Sequence, residues 1–260
     1  MSSILVNANR RAAFHSYDEF LLCQRVNEQV AGDAASHPIW RDAEAARLCT
    51  ERLIRIARQQ KKRIHVLHVS TAEEMPLLAA NKDIATVEVT PHHLTLSSDD
   101  YARLGTLIQM NPPVRSKDHQ RAIWQALQSG VVDVLGSDHA PHTLEEKARP
   151  YPQSPSGMPG VQTLVPVMLD HVNRGRLTLE RFVDLTSHGP SRIFGIARKG
   201  RIAAGYDADF TIVDLKKKRT ITNKWIASKC GWTPYDGMEV TGWPQGTFVR
   251  GRKVMWDDEI

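Results

Sequence analysis

Gly136-Ser137-Asp138-His139-Ala140-Pro141-His142 follows the apolar run Val131-Val132-Asp133-Val134-Leu135 in this chain of 260 residues. The run reads as a short buried parallel strand. An Asp and two His just past the end of such a strand occupy the place where α/β enzymes keep their chemistry. Asp138 has the chemistry to bind a metal and shuttle a proton, and His139 and His142 to orient or bind substrate. An Asx-type turn closing a strand would look the same in isolation, so the reading depends on the rest of the chain.

Three further segments repeat the pattern. Arg11-Ala12-Ala13-Phe14 ends at His15, and Arg63-Ile64-His65-Val66-Leu67 ends at His68-Val69-Ser70-Thr71. Ala85-Thr86-Val87-Glu88-Val89-Thr90 ends at Pro91-His92-His93. Helical patterns separate these strands. From Asp42 to Gln60 the apolar positions Ala45, Leu48, Cys49, Leu53, Ile56 and Ala57 recur at helical spacing, and Pro38 before it suits a turn or helix start. Asp118 to Gln128 presents Ile123, Ala126 and Leu127, with Gly130 placed as a C-terminal cap; Val161 to Val172 repeats the pattern. Strands alternating with helices predict an α/β fold with a parallel sheet.

After about Gly200 the texture changes. Gly205-Tyr206-Asp207-Ala208-Asp209 is a turn feeding the alternating run 210–214, and residues 246–254 read as a hairpin with Gly at its bend. Between them, clusters at Trp232 and Trp243 punctuate the segment. This tail is predicted to be a small β-rich unit. No internal repeat or low-complexity segment occurs.

Composition excludes several classes. Hydrophobic residues make up 41% and charged residues 24%, as in ordinary globular proteins. No stretch approaches the roughly 20 apolar residues that a membrane span needs. The first ten residues lack the apolar run of a signal peptide. Cys23, Cys49 and Cys230 are too few and too far apart for a disulfide framework or a cysteine zinc site, so a cytoplasmic location is expected. The net charge of +5 rests on short clusters. Lys61-Lys62-Arg63 ends a helix, where it complements the macrodipole, and Lys216-Lys217-Lys218-Arg219 follows a strand. No aromatic residues interleave with them, so neither a nucleic-acid nor a membrane partner is expected.

His15, His68 and Asp138 each end a parallel strand and would meet at one rim. Two imidazoles and a carboxylate suit zinc or a similar divalent ion: either His alone reads better as a satisfied core histidine, but the three together favour the metal. In Asn111-Pro112-Pro113-Val114-Arg115 the prolines hold Asn111 on a rigid loop, where it can donate to and accept from a planar amide; a plain turn has the same sequence. His92 and His93 point in different directions and are left as supporting groups at the rim. Ser156-Gly157-Met158-Pro159-Gly160 could approach a ligand with its backbone amides, or be an ordinary helix entry. His37, His119, His171 and His188 read as surface residues.

These motifs together resemble the dihydroorotase family of the amidohydrolase superfamily. The resemblance rests on His15 in Phe-His-Ser-Tyr-Asp, His68 in His-Val-Ser-Thr, Thr-Pro-His-His-Leu at 90–94, Asn-Pro-Pro-Val-Arg at 111–115 and Ser-Asp-His-Ala-Pro-His at 137–142. The tail motif at 205–209 also matches. Allantoinases and dihydropyrimidinases are similar in plan but differ after the Asp-His pair, where this chain has Ala140-Pro141-His142.

The resemblance implies the C-terminal half of a (β/α)8 TIM-like metallo-hydrolase barrel with part of a small β-rich accessory domain. Residues 1–199 would carry strands five to eight, and residues 200–260 the C-terminal part of the small domain. His15 and His68 would bind one metal of a binuclear zinc site. Asp138 would ligate the other metal and act as general base, then general acid. Asn111, His142, Ser156 and Gly157 would hold dihydroorotate or N-carbamoyl-aspartate.

The family binds its first metal through a His-x-His pair at the end of the first strand, which a substrate-binding Arg follows, and a carboxylated Lys (an Asp in some branches) bridges the metals from the fourth. No His-x-His occurs anywhere in this chain. A half barrel would leave two strand edges open. The expected partners are therefore the small-molecule substrate and an N-terminal half, a homo-oligomer or aspartate transcarbamoylase. The two functional readings are a hydrolase completed by a second half and a non-catalytic assembly partner.

Overall fold

In the computed structural model, which describes residues 2–259, the four expected strands form one parallel sheet in chain order. They are β1 (Ala12–Phe14), β2 (Ile64–Val66), β3 (Ala85–Val89) and β4 (Val134–Leu135). Met1, the first residue of the stretch read for a leader, lies outside the described residues. Between the strands run α1 (Ala43–Gln59), α2 (Glu74–Ala79) and α3 (Lys117–Gln128), and α4 (Leu164–Asn173) follows β4.

Asp42 starts α1 by accepting the Ala45 N–H on its side chain. The buried stripe Ala45, Cys49, Leu53 and Ala57 then lies against the strands, whose Ile64, Val66, Ala85, Val87 and Val89 are fully buried. Parallel strands covered by helices need such apolar runs. The register aligns Phe14 with Val66, Val66 with Val87, and Glu88 with Val134. All four strands therefore end on the same rim. Arg115 ties that rim together from a buried position. Its guanidinium donates to the Ser70 hydroxyl after β2, to the Tyr17 hydroxyl after β1, and to the carbonyls of Arg41 and Asp42.

The fourth strand is shorter than the run Val131 to Leu135 predicts. The Asp133 N–H bonds the Val87 carbonyl, and the Asp133 carboxylate accepts the Val87 N–H at 2.8 Å and pairs with Lys82, so a side chain takes up one of the backbone groups there.

The tail forms an antiparallel sheet of β5 (Phe210–Thr220), β6 (Glu239–Val249) and β7 (Arg252–Trp256), with Gly251 at the bend between the last two. Two details differ from the sequence reading. Lys216 to Arg219 lie inside β5, beyond an irregularity that starts at Asp214, rather than after a strand. Arg219 pairs with Asp258 and stacks 4.4 Å over the Trp243 ring. Trp243-Pro244 is part of β6, because the Trp243 side chain is buried in the core.

A second apolar core joins residues on both sides of position 200. Trp232, Tyr235, Val240 and Trp243 pack with Tyr101, Ile108, Met110, Tyr151 and Met158. The histidines read as surface residues also divide. His37 and His171 are 2% and 3% exposed, held by hydrogen bonds that a sequence pattern does not reveal. Among the described residues no helix is long and apolar enough to cross a membrane.

β6 docks on α4 through Thr241, whose N–H reaches the Asp170 carboxylate at 3.1 Å and whose carbonyl accepts from the Asn173 amide at 2.8 Å. Gly242 has φ +105° and a Cβ there would lie 2.6 Å from the Leu169 Cβ. Gly242→Ala is expected to destabilise the chain by about 2 kcal/mol, read as a lowered urea midpoint.

Candidate active site

The rim brings His15 and His68 together, with Asp138 nearby. His15 Nδ1 faces His68 Nε2 at 2.6 Å, with ring centroids 4.6 Å apart. Asp138 lies close enough that His15 stabilises its charged form. Burial first, and the nearby Glu88 carboxylate second, nonetheless push the Asp138 carboxyl up to about 6. Burial, with His15 and His93 adding like charge, pushes His68 down to about 3, which keeps its imidazole neutral.

His68 and Asp138 have φ of +34° and +43°, in the left-handed region that non-glycine residues rarely adopt. Two strained residues at two candidate ligands mark a backbone bent to aim side chains.

Glu88, read only as part of a strand, belongs to this rim. Its carboxylate accepts the His68 N–H at 3.3 Å and lies 3.6 Å from His65 Nε2. The alternation Thr86, Glu88, Thr90 in an otherwise apolar strand was the signal for a polar inner face. His92 and His93 are buried beside each other with ring centroids 4.4 Å apart. His93 bonds Thr90 and the Pro112 carbonyl, while among the described residues His92 Nε2 has no partner.

The predicted substrate residues gather on the adjoining loops. The His139–Met158 bridge and the bond from Ala140 N–H to Met158 O (3.0 Å) lay the 154–160 loop along the segment that carries Asp138 and His142. Gly157 has φ +149°, and a Cβ there would lie 2.4 Å from the Ala140 carbonyl oxygen and 2.9 Å from the His142 ring. Only glycine fits this approach. Gly157 N–H donates to Gln109 O at 2.9 Å, two residues before Asn111. Asn111 Oδ1 accepts from His37 Nε2 at 3.0 Å. His139 Nδ1 accepts the N–H groups of Gly160 and Val161 and so pins the loop. Trp232, from the tail, donates to the His142 carbonyl at 2.7 Å.

The donor set can be tested against a divalent ion. Two imidazole nitrogens, His15 Nδ1 and His68 Nε2, face each other near the Asp138 carboxylate, and among the described residues His68 Nδ1 has no hydrogen-bond partner. This chemistry fits zinc or a similar ion. The number of donors is short of a closed site, because among the described residues no three His, Cys, Asp or Glu side chains converge closely enough to hold an ion.

The profile of the amidohydrolase family matches residues 40–254. The dihydroorotase of Halobacterium salinarum is 43% identical over 227 residues, which are 87% of this chain and 53% of that protein. The dihydroorotase of Pyrococcus furiosus is 43% identical over 211 residues, 81% of this chain and 49% of that protein. The chain spans about half the length of the curated relatives it matches. Among solved structures, an L-hydantoinase (dihydropyrimidinase) from Arthrobacter aurescens gives a TM-score of 0.90 at 30% identity, covering 95% of this chain and 57% of that one. A dihydropyrimidinase from Brevibacillus agri gives 0.91 at 26% identity, covering 99% and 60%.

Two buried histidines near these loops set a pH dependence. His37 donates from Nε2 to Met110 O and the Asn111 side chain, faces the Tyr151 hydroxyl, and lies near Arg41 and Arg115; burial lowers it to about 4. His171 faces Thr95 and the Trp124 ring near Arg176 and Arg174; burial lowers it to about 3. Between these values and the ordinary 6.5 the unfolded chain binds protons that the folded chain does not. Stability is therefore present above pH 6.5 and falls on acidification, by about 1.4 kcal/mol per pH unit for each histidine. Urea midpoints at pH 7 and pH 5 measure this, and His171→Gln is expected to flatten the slope.

Proposed function

We propose that this chain, which belongs to the amidohydrolase family, supplies strands five to eight of a dihydroorotase-type barrel within residues 1–199 and part of its small β domain within 200–260. Its reaction is the reversible interconversion of dihydroorotate and N-carbamoyl-aspartate, a step of pyrimidine biosynthesis in the cytoplasm. The observation that carries the reading is His15 Nδ1 facing His68 Nε2 beside Asp138 at the end of parallel strands. The dihydroorotase relatives at 43% identity support the substrate class.

His15 and His68 would hold one zinc ion of a binuclear site, and Asp138 the other. Bound there, a divalent metal supplies an acidified water and polarises an amide carbonyl. Asp138 would take the proton from the attacking water. It returns that proton to the ring nitrogen as the C–N bond breaks. Asn111 presents a donor and an acceptor to the planar ring amide, and His142 a donor to the substrate carboxylate. Ser156 and Gly157 close the opposite edge.

The hydantoinase and dihydropyrimidinase neighbours support a second cyclic amide as substrate, at lower identity. Convergence of only two nitrogens supports an assembly role, with aspartate transcarbamoylase or a homo-oligomer as partner.

The test is hydrolysis of dihydroorotate, dihydrouracil and allantoin by the zinc-loaded chain, alone and with a polypeptide carrying the His-x-His half. Turnover of dihydroorotate is expected in the complemented sample, with Asp138→Ala lowering it by about a thousandfold or more. Turnover of dihydrouracil or allantoin alone would assign the related hydrolase. Absence of all three would assign the assembly role.

A further inference from the structure

Lys147 is 1% exposed, yet among the described residues no carboxylate pairs with it. Its ammonium donates instead to two carbonyls, Pro155 O at 2.8 Å and Gln109 O at 3.3 Å. Burial alone pushes it down to about 7, far below an ordinary lysine. An uncompensated buried ammonium opposes stability, so its contribution is to be sought in what it holds.

What it holds is the loop at the edge of the candidate substrate site. Gln109 O accepts from Lys147 Nζ and from Gly157 N–H. The Gln109 side-chain amide donates to Ser154 O at 2.8 Å and to Ser156 Oγ at 3.2 Å. The Lys147 carbonyl accepts from the hydroxyls of Thr106 and Ser154. Lys147 closes the short helix Leu144–Lys147, whose capping box at Thr143 begins directly after His142. Segments 106–111, 142–147 and 154–157 are thus fastened at one buried polar knot.

We propose that Lys147 and Gln109 are positioning residues that set the Ser156–Gly157 edge against Asn111 and His142, and that substrate affinity depends on them. The inference rests on the reading that this edge meets dihydroorotate; neither residue touches the reacting atoms.

Lys147→Met keeps the apolar stem and removes the ammonium, while Gln109→Leu removes the amide donors and provides a second variant if the first fails to fold. Two readouts are taken on the zinc-loaded chain complemented by the polypeptide that carries the His-x-His half: amide hydrogen exchange at Gly157 and the Kd for dihydroorotate. Each variant is expected to speed Gly157 exchange and raise Kd, both by about tenfold, because buried carbonyls or donors lose their partners. Exchange at Ile64–Val66 and Ala85–Val89 and zinc affinity are expected to stay unchanged, which a general loss of structure would not permit. Gly157 exchange that is unchanged, or accelerated equally throughout the chain, overturns the inference. Gly157 loosened with Kd unchanged also overturns it. A complemented wild-type sample that does not bind dihydroorotate, but whose variants still loosen Gly157 alone, refutes the substrate reading and leaves Lys147 and Gln109 as positioning residues of the loop.

Discussion

The parallel register of β1 to β4 is the constraint on which the site depends. Phe14, Val66 and Val87 lie side by side, and Glu88 pairs with Val134. His15, His68, Glu88 and Asp138 therefore arrive at one rim from four separate segments. A slip of one residue in any strand would turn its apolar side chains to the wrong face and carry its polar end away from the others. The helices hold this register by burying Leu53, Ala57, Ile123 and Leu127 against the strands. Arg115 then locks the loops that leave β1 and β2.

The rim also stores unfavourable terms that the surrounding packing holds in place. His68 and Asp138 have left-handed backbones, at roughly 1–2 kcal/mol each for an L-residue. His68 is buried in its neutral form, and Asp138 sits near a second carboxylate. Such groups are poor choices for stability alone and suitable ones for metal ligation and proton transfer. The tail contributes as well: Trp232 holds the His142 carbonyl, and Tyr235 and Trp243 pack in one core with Met110, Tyr151 and Met158.

The strands were legible because each apolar run ended in a polar cluster, and α1 because its apolar spacing was regular over seventeen residues. His15, His68 and Asp138 followed from those strand ends. Glu88 was missed because one acidic residue in an apolar run carries little weight, although its alternation with Thr86 and Thr90 encodes the inner face. Lys147 was missed for a stronger reason: in sequence, a buried lysine in Glu-Glu-Lys is indistinguishable from a solvated one. His37 and His171 were misread because their burial depends on carbonyls and hydroxyls far away in the chain, such as Met110 O and Thr95. The strand through Trp243-Pro244 was not legible, since proline in a strand is tolerated only where no ladder N–H is required.

The central claim is that His15 and His68 form the protein's half of a metal site. X-ray absorption at the zinc edge of the zinc-loaded chain tests it most directly, with His68→Ala as the control. The account predicts one ion with two imidazole nitrogens at about 2.0–2.1 Å and oxygen in the remaining positions, and loss of that signal in the variant. A shell of oxygen alone, a sulfur ligand, or an imidazole signal that survives His68→Ala would contradict it.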